Sequence, residues 1–157
     1  MSIPDGIICS INSESISKKE HIFFKQTNPL GFILFSRNFN NKRQLIDLIN
    51  ELKNLTLNKS PFIFIDQEGG RVQRLKNSNF TTFPEQSFFG ELYKKNKEKS
   101  KKLSYLNAYL LANELKNVGI DINFSPVCDL YFNYANDIIG DRSFSSDPSI
   151  VKDLALQ

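Results

Sequence analysis

The sequence predicts an α/β fold built on a parallel sheet, and two observations carry this. Short β-branched or aromatic runs alternate with segments of helical period, about four times in 157 residues. The second of these runs, Gly31 to Phe35, also has almost no polar alternation, the pattern of a strand covered on both faces, as parallel strands are. Strand, helix, strand, helix implies right-handed crossovers. A doubly wound open sheet and part of a (β/α)8 barrel both fit. A complete barrel needs roughly 250 residues, with a lower limit near 200, so 157 residues are too few for one.

Taken in order, Ile7-Ile8-Cys9-Ser10-Ile11 reads as a first strand. A polar-rich helix over 14–26 follows, with Ile22, Phe23 and Phe24 as its buried side. Asn28-Pro29 stops it, because a residue before proline is pushed out of the α region. Gly31 to Phe35 is a second strand. A helix from Lys42 to Leu55 follows, with Leu45, Ile46, Leu48, Ile49, Leu52 and Leu55 in one stripe. Lys59-Ser60-Pro61 breaks the chain, and Phe62 to Asp66 is a third strand. The stretch 67–87 reads as polar and irregular. A helix over 101–118 follows, with Leu103, Leu106, Leu110, Leu111 and Val118 spread over one wide side. Gly119 ends it, and Ile120 to Ser125 is a fourth strand. Asp147-Pro148 opens a last helix, with Asp as N-cap and Pro in the first turn.

Composition narrows the function classes. Hydrophobic residues make up 40% and charged residues 24%, enough for a packed core. Twenty Lys+Arg against seventeen Asp+Glu give a net charge of only +3, far from the basic footprint of a nucleic-acid binder. No apolar run approaches the ~20 residues that span a bilayer. Cys9 and Cys128 read as two buried free thiols, since each sits in apolar company. The N-terminus lacks a basic region and a long apolar run, so no secretory signal is expected and a cytoplasmic location is.

Polar and charged groups gather after the C-terminal ends of the strands. They are Ser36-Arg37-Asn38, then Asp66 to Arg74, then Asp129 and Asp141-Arg142-Ser143. In parallel α/β folds this rim is where ligands bind; an ion-pair network closing the rim is the plainer reading. Asp66 and Glu68, two residues apart, would lie roughly 7 Å apart in extended chain, a separation that suits paired carboxylates in glycoside hydrolysis. However, Gly69-Gly70 forces a turn there, and Arg71 and Arg74 would hold nearby carboxylates ionised. A carboxylate–arginine clamp on sugar hydroxyls or on a ligand carboxylate fits better. Gly69-Gly70 lacks the third glycine and the Lys-Ser/Thr of a phosphate loop. The sole histidine, His21, lies inside the first helix, away from the rim, and no cluster has metal-ligand spacing. The run from Lys94 to Lys102, locally +5, reads as a solvated loop and helix entry.

Four motifs then carry a family resemblance. Asp66-Gln67-Glu68-Gly69-Gly70-Arg71-Val72-Gln73-Arg74, with its preceding strand, resembles the DQEGGRVQR signature of bacterial β-N-acetylhexosaminidases of glycoside hydrolase family 3. Gly31 to Asn38 is similar to that family's GLILFxRN strand. Gly119 to Leu130 resembles its GIDxxFAPVxDL strand, and Ile139 to Phe144 its IGxRSF loop. The resemblance implies the first half of a (β/α)8 TIM barrel, with about four βα units, truncated, so that residues 1–157 form an incomplete N-terminal barrel domain. It implies a retaining hydrolase, without cofactor or metal, that removes terminal N-acetylglucosamine from muropeptides during peptidoglycan recycling. By motif position, Asp66, Arg74 and Arg142 would hold the sugar. The family's acid/base histidine and nucleophilic aspartate belong to segments beyond the fourth strand, so no catalytic residue is expected among these 157 and no turnover by the chain alone. The alternative is a non-catalytic half-barrel that binds sugar or pairs with a separately encoded C-terminal half.

Overall fold

The computed structural model describes residues 4–56, 61–76 and 80–157. In chain order the elements are β1 (Asp5–Ser10), α1 (Lys18–Thr27), β2 (Pro29–Leu34), α2 (Lys42–Leu55), β3 (Phe62–Ile65), β4 (Gln67–Gly69), β5 (Val72–Gln73), α3 (Gln86–Lys95), α4 (Lys97–Lys116), β6 (Ile122–Asn123) and α5 (Pro148–Ala155). Short 3-10 turns cover Ser36–Asn38 and Gly140–Arg142. Of the expected chain break, Lys59 and Ser60 lie outside the described residues. Among the described residues no helix is long and apolar enough to cross a membrane. The chain divides into two compact units.

The first unit (1–66, 74–80 and 114–123) holds a four-stranded sheet in the order β1-β2-β3-β6. Every pairing is parallel, with Cys9 opposite Phe32, Phe32 opposite Ile63 and Phe64 opposite Ile122. The strand order follows the chain with no reversal. A doubly wound sheet would reverse at a switch point, so the ambiguity left by the sequence resolves toward the barrel. Phe32, Leu34, Ile63 and Ile65 are buried, as their unalternated runs require.

Helix α2 has the bounds its periodicity predicts. Asn41 caps it by accepting from the Gln44 amide at 3.0 Å. Leu45, Leu48, Ile49, Leu52 and Leu55 are buried, each contributing about 1.5–3 kcal/mol; Ile46 is only partly covered. Helix α1 starts later than expected, because Ser17 and Glu20 form a capping box there. Asn28 ends it in the left-handed region at φ 42°. Of its expected apolar side only Phe24 is buried, its ring 4.9 Å from that of Phe32. Ile22 and Phe23 are exposed. The fourth strand is shorter than expected, with β6 confined to Ile122–Asn123 and, among the described residues, paired only with β3.

The second unit (67–73, 81–113 and 124–157) departs most from expectation. The stretch read as irregular contains the antiparallel β4–β5 hairpin and the start of α3. Gly69 turns the hairpin at φ 98°, where a Cβ would also meet the Pro84 carbonyl oxygen. Helix α3 was missed because Gly90 interrupts its pattern. That glycine is needed, since a Cβ would meet the Phe144 carbonyl oxygen. The Lys94–Lys102 run lies in α3 and α4, broken only at Asn96, and is not a loop. Within it Ser100 is fully buried and donates to the Phe89 carbonyl at 2.6 Å.

Helix α4 therefore begins earlier than expected. Of its apolar positions Leu111 is buried, while Leu106 and Leu110 are exposed. Helix α5 opens as expected, with the Asp147 carboxylate accepting from the Ser149 amide at 2.8 Å. Phe89, Phe144, Ile150, Val151 and Leu154 form this unit's core. Both cysteines are free, but neither is fully buried: Cys9 is half-buried on an edge strand and Cys128 is exposed in a loop.

Candidate functional site

The residues expected at the strand rim fall into two polar clusters, one in each unit. The first lies where β2 and β3 end. The Asp66 carboxylate accepts from Arg74 Nη2 at 3.0 Å. The Arg74 guanidinium lies 5.6 Å from the Phe35 ring centroid and that of Arg37 lies 4.6 Å from the same centroid, cation–π distances that keep both charges close to one aromatic ring. Arg37 is committed to structure: its Nε donates to the Ile11 carbonyl at 2.9 Å. Asn38, fully buried, donates to the Ile11 and Ser13 carbonyls at 2.9 and 2.8 Å and accepts from the Phe35 amide. The Ser36-Arg37-Asn38 turn is thus a brace for the loop after β1.

The second cluster joins the β4–β5 hairpin to the 137–143 loop. Glu68 is buried, and both its oxygens accept from Arg142, through Nε and Nη2 at 2.8 Å each. A two-pronged guanidinium–carboxylate pair fixes both planes. Arg142 Nη1 also donates to the Ile138 carbonyl at 3.1 Å. Arg71 donates through Nε to Asp141 at 2.7 Å and through Nη2 to the carbonyls of Asp137, Ile138 and Ile139. Ser143 donates to the Asp129 backbone carbonyl at 2.6 Å, so what binds the loops here is the Asp129 main chain.

Of the three expected sugar-holding residues, Asp66 and Arg74 are brought into contact and Arg142 is held by Glu68. The rim carboxylates and arginines pair with one another, which the ion-pair network and the clamp on a ligand both require. Glu68, weighed as one of two catalytic carboxylates, is occupied as the partner of Arg142. Sequence reasoning missed Gln86, whose buried amide both accepts from the Val127 amide and donates to its carbonyl, each at 2.8 Å. A glutamine at a helix start gives no local signal of such a long-range clasp. His21 lines a groove on α1 with Ile16, Ser17, Lys18 and Ile22, none of which belongs to either cluster. Among the described residues no group of His, Cys, Asp and Glu could hold a metal ion.

The model of the glycosyl hydrolase family 3 N-terminal domain matches residues 8–157. The chain belongs to glycosyl hydrolase family 3. The chain is 35% identical over 149 residues to a β-hexosaminidase of Thioalkalivibrio sulfidiphilus, covering 95% of this chain and 42% of that protein. Among solved structures, NagZ from Neisseria gonorrhoeae in complex with N-trifluoroacetyl-D-glucosamine superposes with a TM-score of 0.90 at 36% identity, over 98% of this chain and 45% of that one. A glycoside hydrolase family 3 β-N-acetylglucosaminidase from Paenibacillus gives 0.84 at 29% identity, over 94% of this chain and 27% of that one. The chain thus spans less than half the length of these family 3 relatives. Its consecutive parallel strands are the first four βα units of the family 3 barrel.

Proposed function

We propose that this chain is the sugar-holding part of a retaining β-N-acetylhexosaminidase that removes terminal N-acetylglucosamine from muropeptides, in the cytoplasm, during peptidoglycan recycling. Residues 1–157 are one incomplete barrel domain in this reading. The observation that carries it is the Asp66–Arg74 pair at the C-terminal end of β3, the rim where parallel α/β folds bind ligands. Asp66 accepts hydrogen bonds from hydroxyls of the terminal ring. Arg74 and Arg142 donate to hydroxyls and to the neighbouring group, and the Glu68 clasp holds Arg142 in place without cost at the moment of binding.

In a retaining reaction a carboxylate attacks the anomeric carbon while the departing oxygen takes a proton from the acid. Water then hydrolyses the glycosyl-enzyme bond and returns a proton to that group. Nucleophile and acid/base are placed outside these 157 residues. The chain's contribution is binding and orientation.

The test pairs two measurements on the 157-residue chain. Calorimetric titration with N-acetylglucosamine should give saturable heat, and a chromogenic N-acetylglucosaminide should show no turnover. Absence of binding sinks the sugar-holding role; turnover abolished by Asp66→Ala sinks the placement of catalysis elsewhere. A second reading is favoured by β1 pairing, among the described residues, with β2 on one side only. It is a non-catalytic half-barrel that binds sugar or pairs with a separately encoded C-terminal half.

A further inference from the structure

Helix α4 is apolar on the side where a surface helix is ordinarily polar. Its inward side is marked by Ser100, Ser104 and Leu111, all buried. The two hydroxyls donate to the carbonyls of Phe89 and Leu154 at 2.6 and 3.5 Å. Two residues along an α-helix turn a side chain through about 200°. Lys102, Leu106 and Tyr109, each two residues from one of those three, therefore project outward. Tyr105 is 51%, Leu106 40%, Tyr109 56% and Leu110 56% exposed. The two tyrosine rings lie nearly parallel, 19° apart, with centroids at 6.3 Å. Neighbours at one- and four-residue steps, these four side chains make one patch, and exposed apolar patches mark interaction sites.

The same side carries part of the lysine run that neither polar cluster uses. Lys94 is paired with Glu91 and Lys97 with Asp153. Lys99 and Lys102 are exposed and enter no ion pair among the described residues. Steps of three and four residues from Lys99 through Lys102 and Leu106 to Tyr109 put all four on one stripe. Residues 97–113 contain four lysines and one glutamate, so this helix segment alone carries a net charge equal to the +3 of the whole chain.

Closing the barrel does not cover this stripe. Helix α4 carries the chain from β3 to β6, which are paired neighbours. The sheet-crossing helices of the units before and after it, α2 and α5, are both in this chain. Barrel helices form the outer ring, so further units lengthen the ring and leave outward sides uncovered.

We propose that the outward side of α4 over 99–113 is a docking surface for an anionic lipid bilayer. Tyr105, Leu106, Tyr109 and Leu110 enter the headgroup layer, and Lys99 and Lys102 meet lipid phosphates. Charge and residue type select this occupant. Tyrosine rings seat at the boundary between headgroups and acyl chains, leucines go deeper, and lysine stems cover apolar surface while their ammonium groups reach outward. A basic, apolar helix side of this kind lies in the plane of the bilayer surface, and anionic headgroups attract its lysines. A second copy would set one positive helix against another. A nucleic acid would meet the lysines and leave Leu106 and Leu110 in water. The contact is peripheral; it goes beyond the sugar-holding function and does not depend on it.

The test floats the full 157-residue chain with vesicles of phosphatidylglycerol and phosphatidylcholine in equal parts, and with vesicles of phosphatidylcholine alone. The chain should bind the first at least tenfold more tightly, and salt should weaken that binding. Lys99→Glu combined with Lys102→Glu should weaken it at least tenfold, and so should Leu106→Ser combined with Tyr109→Ser, with circular dichroism unchanged. The unmodified chain supplies a readout independent of any folding defect. Acetylation by N-acetylimidazole, mapped by peptide mass, should slow at Tyr105 and Tyr109 when anionic vesicles are added. It should persist at Tyr134, which is 87% exposed in the 131–139 loop. No binding to anionic vesicles, equal binding to both kinds, or equal protection of Tyr134 overturns the proposal. Protection of Tyr105 and Tyr109 without lipid, rising with the chain's own concentration, also overturns it and makes a second copy the occupant. Equal protection by polyuridylate overturns it in favour of a nucleic acid.

Discussion

Arg142 grips both oxygens of Glu68 at 2.8 Å across 74 residues of sequence, and the carboxylate is buried. Removing one side of such a pair leaves a charge without its partner in a poorly solvated place. Arg142→Ala should therefore destabilise the chain by about 3 kcal/mol, measured by urea unfolding. Arg43→Ala breaks a solvent-exposed pair with Asp47 at 3.1 Å and should cost under about 1 kcal/mol. Equal losses in the two variants would contradict the assignment of Arg142 as a structural clasp.

The Asp66–Arg74 pair is more open to solvent, and its proposed work is done on a ligand. Asp66→Ala should weaken N-acetylglucosamine binding by roughly 10- to 100-fold, the loss of hydrogen bonds to a charged acceptor. Arg74→Lys keeps the charge but loses the planar fork, so affinity should fall there as well. Titration calorimetry on folded variants reads both; unchanged affinity in Asp66→Ala would remove this residue from the sugar site.

Asp153 ties three helices together. It accepts from Lys97 Nζ at 2.7 Å and from Tyr93 Oη at 2.6 Å. These bonds, that from Lys97 foremost, hold its carboxyl at a pKa of about 2, and Lys97 is pushed well above its ordinary range. An unfolded Asp titrates near about 3.9, so between those values the unfolded chain binds more protons. The contribution is complete above about pH 4 and is lost as pH falls toward about 2. Urea midpoints measured across this window should fall less steeply in Asp153→Asn than in the unmodified chain.

The two thiols should react at different rates. Burial pushes the Cys9 thiol up from its usual range, which lowers its thiolate fraction, while Cys128 is exposed. At pH 8 an alkylating reagent should label Cys128 first, as read by peptide mass mapping. In urea the two rates should converge, and faster labelling of Cys9 in the folded chain would refute the burial.

Fold and site were legible in the sequence to different depths. Local period marked α2 to its end residues and located β2 and β3, because an apolar stripe or run records which faces a segment buries. The same logic misplaced Ile22, Phe23, Leu106 and Leu110, since an apolar side chain records a face made to be covered and not what covers it. Gly90 concealed α3 because a helix propensity cannot register the Phe144 carbonyl that demands a glycine.

The sequence by itself determined the parallel α/β class, the arginines and carboxylates at the rim, and the family, since these reside in local pattern and ordered motifs. Only the tertiary structure decided the unreversed strand order and the division of partners, Arg74 to Asp66, Arg142 to Glu68 and Arg71 to Asp141. The physical reason is range. Periodicity is written within one turn or one pleat, whereas an ion pair between distant residues forms only where the backbone path carries both ends to within about 3 Å.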